Sequence, residues 1–493
     1  MADEPRPPKF AETHISWVLL SEDRAFKVAK PVVTDVLDQG DVEGRRASCE
    51  REVRLNARLS PDVYLGVGSI QLDGEDLEPV IVMRRMPEDR RLSSLLDSAD
   101  IGEQIRAVAR AVASFHASTD VLAGDAAAHV ASEDALVDRW REDITGVRDV
   151  GGPAVVEHLD RIERLALDYL AGRGRLLAER IEQGMVRDGH GDLLADDVFC
   201  LADGPRILDC LAFSDDLRCG DVLADVAFLV MDLQRLGHPE LARGFLRAYC
   251  EFSDEHHPGS LAHLYVAQRA LVRAKVSALR HAQEGDVGQD VTDLLDLALD
   301  HLERATVQVA LVGGLPGSGK STVAGRLADE FGWVVLSSDE IRRDLGLRYE
   351  DLQSDAAYDP ETVARVYDEM RRRADQAVRC GMSVALDATW SKATEREAAR
   401  AVARDAHATL LELRCTAPPS VCRDRVERRT KRSHSEATPR VVDVLADRTD
   451  PWPEAVEVDT DDVGSDAVWQ ASVVTSSARW WTSRPASSTA TGR

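Results

Sequence analysis

The sequence predicts two parts of different fold class: a bilobal α+β part over residues 1–304, then an α/β part over 305–460 built on a parallel sheet around a phosphate-binding loop. Three observations predict this. β-rich runs are confined to roughly the first hundred residues, whereas strand and helix patterns alternate after about residue 305. A glycine-rich turn between the first strand and helix of that alternation fits a phosphate-loop pattern. At 493 residues the chain exceeds what one ordinary core organises.

Taken in order, "HISWVLLSEDRAFKVAK" (14–30) reads as two β-rich runs around the polar turn "SEDR". A helical segment rich in Arg and Glu follows over about 44–59, and "PVIVMRRM" supplies one more strand, which makes a small lobe of about 12–95. A helical lobe of about 100–304 begins with "IGEQIRAVARAVASFHAS", whose apolar residues recur every three or four positions. It is interrupted at about 186–209 by a loop, a short strand, an Asp-Gly turn and another short strand. The helix "DVTDLLDLALDHLERA" closes this part near residue 305.

The second part opens with the strand "VQVALV", the glycine-rich turn, the helix "STVAGRLADEFG" and the strand "WVVLS". A long helix, the strand "SVALDA", another helix, the strand "ATLLELRC" and an Arg-rich helix follow, an order that argues for a parallel sheet covered on both faces. Residues 461–493, rich in Ser and Thr, are expected to be a disordered tail.

Charge and composition narrow the ligands. With 61 Lys and Arg against 87 Asp and Glu, the chain carries a formal −26 and is not expected to bind nucleic acid generally, which leaves small phosphorylated or polar ligands. Eight cysteines without a C-x-x-C pair suit reduced thiols in the cytoplasm. The N-terminus shows no apolar signal segment, and aspartates break the longest apolar runs, such as "VLADVAFLVMDL", so no membrane span is expected. Oligomeric state leaves no mark in the sequence.

"GLPGSGKS" (314–321) matches G-x-x-x-x-G-K-[ST] at every fixed position. Gly314, Gly317 and Gly319 let the backbone curl so that its N–H groups, with Ser318 and Thr322, face phosphate oxygens, and the helix that follows adds its positive end. Lys320 is expected to reach the β- and γ-phosphates of ATP, and the Ser321 hydroxyl to ligate Mg2+. The next strand ends in "LSSDEIRRDL", where Asp339 is placed to take an acceptor's proton and Arg342 or Arg343 to steady a phosphate. Ser337 and Glu340 also form a capping-box pattern, so a purely structural role for this acidic turn stays open. Asp387, ending "SVALDA", is a candidate Mg2+ carboxylate or a turn cap. Arg425 and Arg429 share one helical face and either close over the transferring phosphate or form a solvated charged face. On these residues, 307 to about 455 resembles the P-loop small-molecule kinases grouped with gluconate kinase, zeta-toxin-like and polynucleotide 5′-kinase-like proteins. The resemblance implies a base at Asp339 and a phosphate clamp at Arg342.

A second constellation lies upstream. In "HGDLLADDVF" (190–199), Asp192 and Asp197 stand five apart, and Asp209 follows in "RILDC". Kinase chemistry uses such carboxylates as catalytic base and Mg2+ ligands. Lys27 in "AFKVAK" sits on the strand expected to carry an ATP-binding lysine, with Glu52 on the following helix as its ion-pair partner. These residues resemble the aminoglycoside-phosphotransferase family, and residues 12–455 resemble bacterial two-domain proteins that join such a domain to a P-loop, AAA-type ATP-binding kinase. Two features depart from that pattern: Asp197 stands where the family usually has Asn, and no Gly-x-Gly loop is visible to cover the phosphates. His190 is expected to pack the loop rather than shuttle protons.

The leading expectation is a cytoplasmic kinase, dependent on ATP and Mg2+, that phosphorylates a small hydroxyl-bearing compound and binds ATP at the C-terminal loop. The alternative is a nucleotide-gated regulatory or interaction protein whose N-terminal domain is an inactive pseudokinase.

Overall fold

The structure, a computed structural model, describes residues 8–12, 16–34, 37–72, 75–282, 288–347, 360–428 and 439–460. The chain forms two compact units. Unit 1 comprises Met1–Val156, Leu177–His257 and Tyr265–Ala298; unit 2 comprises Glu157–Leu176, Pro258–Leu264 and Leu299–Arg493. The expected tail at 461–493 lies outside the described residues.

Unit 1 carries an antiparallel five-stranded sheet in the order Lys9–Glu12, Ser16–Leu20, Arg24–Ala29, Glu75–Arg84, Tyr64–Leu72. The two runs expected around "SEDR" pair with Val18 opposite Lys27, and Lys27 in turn opposes Ile81. Two strands were not expected from the sequence. Lys9–Glu12 is exposed at all four positions, so no apolar alternation announces it. Tyr64–Leu72 contains Gly66 and Gly68, and its register shifts between Tyr64 and Gly66, which breaks the period of two. The helix Val42–Asn56 is capped by Asp41, whose side chain accepts from the Gly44 amide at 2.7 Å. Its Cys49 packs with Val63, Tyr64, Ile81, Phe199 and Leu208, so sheet, helix and the later hairpin share one core.

The helical lobe follows its periodicity: Ile101–Ser118 buries Ile105, Val108, Ala109 and Val112. The interruption is a hairpin of Val198–Leu201 and Gly204–Ile207, with Val198 opposite Ile207 and Leu201 opposite Gly204; the turn is Ala202-Asp203, one residue before the expected Asp-Gly pair, because Gly204 already belongs to the second strand. The apolar run "VLADVAFLVMDL" lies within the helix Val222–Arg235, buried almost all round and holding Asp225 and Asp232 inside the core. No described helix is long and apolar enough to cross a membrane.

Unit 2 carries a five-stranded sheet in the order Val334–Ser337, Val384–Asp387, Gln308–Gly313, Thr409–Thr416, Val456–Asp459, parallel throughout. Gln308–Gly313 is buried at every position, which explains its unbroken apolar reading. The edge strand Val456–Asp459 was not foreseen, because only Val458 of its four residues is buried. Segments far upstream belong to this unit: Arg173, fully buried, donates to the Ala406 carbonyl at 2.7 Å, and the Ser260 hydroxyl donates to the Gly381 carbonyl at 2.7 Å. The capping box expected at Ser337 does not form. Ser337 occupies the N-cap of Ser338–Asp344 without a side-chain hydrogen bond, and Glu340 instead faces Arg343 at 3.8 Å.

Candidate functional site

The loop at 190–197 is held from behind by two buried carboxylates. Asp225 accepts from the His190 amide with one oxygen and from the Gly191 amide with the other, each at 2.8 Å, and it lies 2.9 Å from His116 Nε2. Asp232, two helical turns on, accepts from the Ala195 amide at 2.9 Å. Burial opposes the Asp225 charge, yet the His116 contact and the donors around His190 outweigh it and hold the carboxyl well below its usual range. His190 Nε2 donates to the Leu208 carbonyl at 2.9 Å, tying the loop to the hairpin. Gly191 has φ +88°, and a Cβ there would meet Leu211 Cβ at 3.0 Å and Arg218 Cα at 3.1 Å, so this turn needs glycine. Sequence reading missed Asp225 and Asp232. Their signal was two aspartates inside an apolar run, read only as interruptions of it.

The loop presents Asp192, whose carboxyl burial pushes up against the opposing charge of Arg273, 3.9 Å away. Lys27 Nζ lies 2.8 Å from Glu52 and 2.9 Å from Asp209. Burial works against the ammonium, but Asp209 and Glu52 together hold it well above its usual range. The Lys27 charge lowers Asp209, while burial raises Glu52. Asp209 sits at φ +60°, and its amide donates to Tyr64 Oη at 3.2 Å. Burial, then the charges of Asp209 and Asp192, push Asp197 well above the carboxylate range. All five predicted residues, Lys27, Glu52, Asp192, Asp197 and Asp209, line one cleft of about 640 Å³, a size suited to a small-molecule site. Asp197 and Asp209 are hard oxygen donors whose mutual repulsion a divalent cation would relieve, so their chemistry fits Mg2+.

In unit 2, strand register assembles the second constellation. Asp387 pairs with Val312 on one side and Ser337 on the other, which brings it, the turn after Gly313 and the turn bearing Asp339 to one sheet edge. Gly314, Gly317 and Gly319 have φ of +141°, +84° and +87°. A Cβ on Gly314 would lie 2.5 Å from the Cys415 carbonyl, and one on Gly317 would lie 2.3 Å from the Cys422 carbonyl. Gly319 precedes the helix Lys320–Phe331, so its free N–H groups open at the loop, where Ser321 and Thr322 are exposed. Ser318 Oγ is buried with no hydrogen-bond partner among the described residues, in keeping with a cradle built for phosphate. Burial pushes the Cys415 thiol up to about 12, with Lys320 and buried Asp387 both within electrostatic reach of it. Arg342 lies within electrostatic reach of buried Tyr367.

Arg425 reaches two backbone carbonyls. It donates to the Gly317 carbonyl at 3.4 Å and to the Thr460 carbonyl at 3.1 Å, which braces the loop. Thr460, unmarked by any motif, completes this brace by donating to the Ser318 carbonyl at 2.5 Å. Arg429 lies outside the described residues.

Comparison with known proteins agrees with this architecture. Residues 35–262 match the phosphotransferase enzyme family model and residues 309–452 the AAA domain model. Uncharacterized protein Rv2004c of Mycobacterium tuberculosis strain H37Rv is 39% identical over 459 residues, covering 91% of each chain, and Uncharacterized protein Mb2027c of Mycobacterium bovis matches equally. Among solved structures, a choline/ethanolamine kinase family protein from Mesorhizobium loti aligns with 14% identity and TM-score 0.37, covering 61% of this chain and 88% of that one. A gluconokinase from Sinorhizobium meliloti aligns with 17% identity and TM-score 0.24, covering 31% of this chain and 82% of that one. This chain therefore belongs to the family of the mycobacterial Rv2004c and Mb2027c proteins; in it a phosphotransferase-family domain precedes an AAA domain, and it is a phosphotransferase of the kinase kind.

Proposed function

We propose that the chain is an ATP- and Mg2+-dependent kinase of a small hydroxyl-bearing compound with two nucleotide sites: the loop Gly314–Thr322, and the cleft around Asp192. The observation that carries this reading is the gathering of Lys27, Glu52, Asp192, Asp197 and Asp209 in one cleft. The functional partition we propose is 1–304 for the phosphotransferase-like part and 305–460 for the P-loop part.

In the cleft, Lys27, oriented by Glu52, attracts ATP phosphates, and Asp192 takes the proton of the acceptor hydroxyl as its oxygen attacks. Asp197 and Asp209 in unit 1, and Ser321 and Asp387 in unit 2, are the residues that would hold Mg2+. Bound there, the ion neutralises phosphate charge. In unit 2, Lys320 and the loop amides hold the β- and γ-phosphates, Asp339 serves as base, and Arg342 steadies the phosphate; Arg425 keeps the loop in shape. Arg429 is proposed to close over the transferring group. Cytoplasmic location accompanies this reading.

The test measures ADP formation and phosphorylated product for Asp192→Ala, Asp339→Ala and the double variant across a metabolite panel. Each single variant should lose its own acceptor-stimulated transfer by about 10²-fold or more, the scale of a lost general base. Hydrolysis that no acceptor stimulates in any variant would instead indicate a nucleotide-gated switch.

A further inference from the structure

We infer that the acceptor phosphorylated in the unit 1 cleft carries an anionic group, a carboxylate or a phosphate, held by Arg273 and Arg280 while Asp192 takes the proton of its hydroxyl. This rests on the reading of unit 1 as a phosphotransfer centre.

The first ground is a local reversal of charge. The chain has 61 basic against 87 acidic side chains, yet the cleft is lined by six cationic and five carboxylate side chains. Most of these are committed. Lys27 is shared by Glu52 and Asp209, Arg84 pairs with Asp62 at 3.0 Å, and Arg85 and Arg91 donate to the carbonyls of Ser21 and Asp196. Among the described residues, what remains is Arg280 and, facing Asp192 only at 3.9 Å, Arg273. Both project from the helix Gly259–Ala282, seven residues apart on the face that also turns Val276 into the cleft.

The second ground is position. Arg273 approaches Asp192 to 3.9 Å, beyond hydrogen-bond length, so its N–H groups are not used up by the base beside it. A planar guanidinium recognises carboxylate or phosphate through two parallel hydrogen bonds and sets the orientation of the bound group. An anion held there brings its hydroxyl to Asp192. A cationic acceptor would set its charge against the two guanidinium groups, a repulsion that Asp192, itself facing Arg273 at 3.9 Å, offsets only in part and that discriminates against it. The reaction is then balanced: the hydroxyl oxygen bonds to the γ-phosphorus of ATP, the bond from that phosphorus to the bridging oxygen breaks, Asp192 receives the proton, and ADP leaves.

The experiment uses the full chain with Mg-ATP and four acceptor classes: an aldonic acid, a hexose phosphate, the neutral hexose and an aminocyclitol. Product is measured by mass, and transfer abolished by Asp192→Ala defines the unit 1 reaction. The expected result is Asp192-dependent transfer to the acid or the sugar phosphate, the better of the two identifying the anion. Arg280→Gln and Arg273→Gln should each raise the acceptor KM by about tenfold, roughly one charge-assisted contact, and leave the ATP KM within about twofold. Arg273→Lys should restore part of the loss. Preferred transfer to the neutral or cationic acceptor overturns the inference, as does a rise confined to the ATP KM or a fall confined to kcat. Absence of Asp192-dependent transfer to every acceptor would refute the phosphotransfer reading itself and the inference with it.

Discussion

Lys27 Nζ sits 2.9 Å from Asp209 Oδ1, an ion pair between residues 182 apart in sequence. One comes from the central region of the antiparallel sheet, the other from the segment just after the hairpin Val198–Leu201/Gly204–Ile207. Glu52 lies on the other side of the ammonium at 2.8 Å. The pair thus links the sheet, the first helix and the carboxylate segment around one charge.

Replacing that charge should uncouple them. Lys27→Met leaves Glu52 and Asp209 without their counter-ion, so acceptor-dependent transfer in unit 1 should fall by about 10²-fold or more, the scale of losing a preorganised electrostatic contact. Because Glu52 is mostly buried and loses its counter-ion, the melting temperature should also fall by several degrees. Unaltered transfer with a normal ATP KM would remove Lys27 from the site.

The pH profile of that transfer should carry the mark of Asp192. Its carboxyl is raised by burial and opposed by Arg273, and it acts when deprotonated. The acidic limb of kcat/KM is therefore expected above the ordinary aspartate value of about 4. Removing the positive charge with Arg273→Gln should move the limb to higher pH. A limb that moves the other way, or stays put, would show that another group sets it.

In unit 2, Gly317 and Lys320 should fail for different reasons. Gly317→Ala places a Cβ 2.3 Å from the Cys422 carbonyl at a φ of +84°, so it distorts the loop. Left-handed strain alone costs about 1–2 kcal/mol, and calorimetry should find nucleotide affinity lowered by roughly tenfold or more. Lys320→Ala keeps the loop and removes the charge. Measured in an Asp192→Ala background, it should abolish most remaining ATP turnover.

Asp225 should reveal itself in stability. Its carboxyl is held below the usual range in the folded state, so its contribution is complete above the unfolded value of about 4 and is lost as pH falls from there through the lower folded value. Asp225→Asn should therefore be less stable than the parent by about 2 kcal/mol or more near neutrality, a gap that narrows below about pH 4. Urea unfolding at several pH values measures it. A gap independent of pH down to about 3 would mean that charge plays no part.

What the sequence determined by itself were the features with a local signature. The phosphate loop was legible because its glycines, lysine and serine act within eight residues, between a strand and a helix whose periods are unambiguous. The strands Gln308–Gly313 and Val384–Asp387 and the helix Ile101–Ser118 were legible because burial imposes a regular apolar pattern. Exposed edges carry no such pattern, which is why Lys9–Glu12 and Val456–Asp459 escaped. The capping box read at Ser337 was local too, yet Arg343 engaged Glu340 instead. Only the tertiary structure decided what depends on distant segments meeting. It showed Asp225 and Asp232 turning from apparent flaws in an apolar helix into acceptors for the loop amides. It turned Arg425 and Thr460 into a brace for Gly317 and Ser318, and it seated Arg173 and Ser260 among residues more than a hundred positions later. A buried polar group must find a partner, and that partner is chosen by the fold rather than by spacing along the chain.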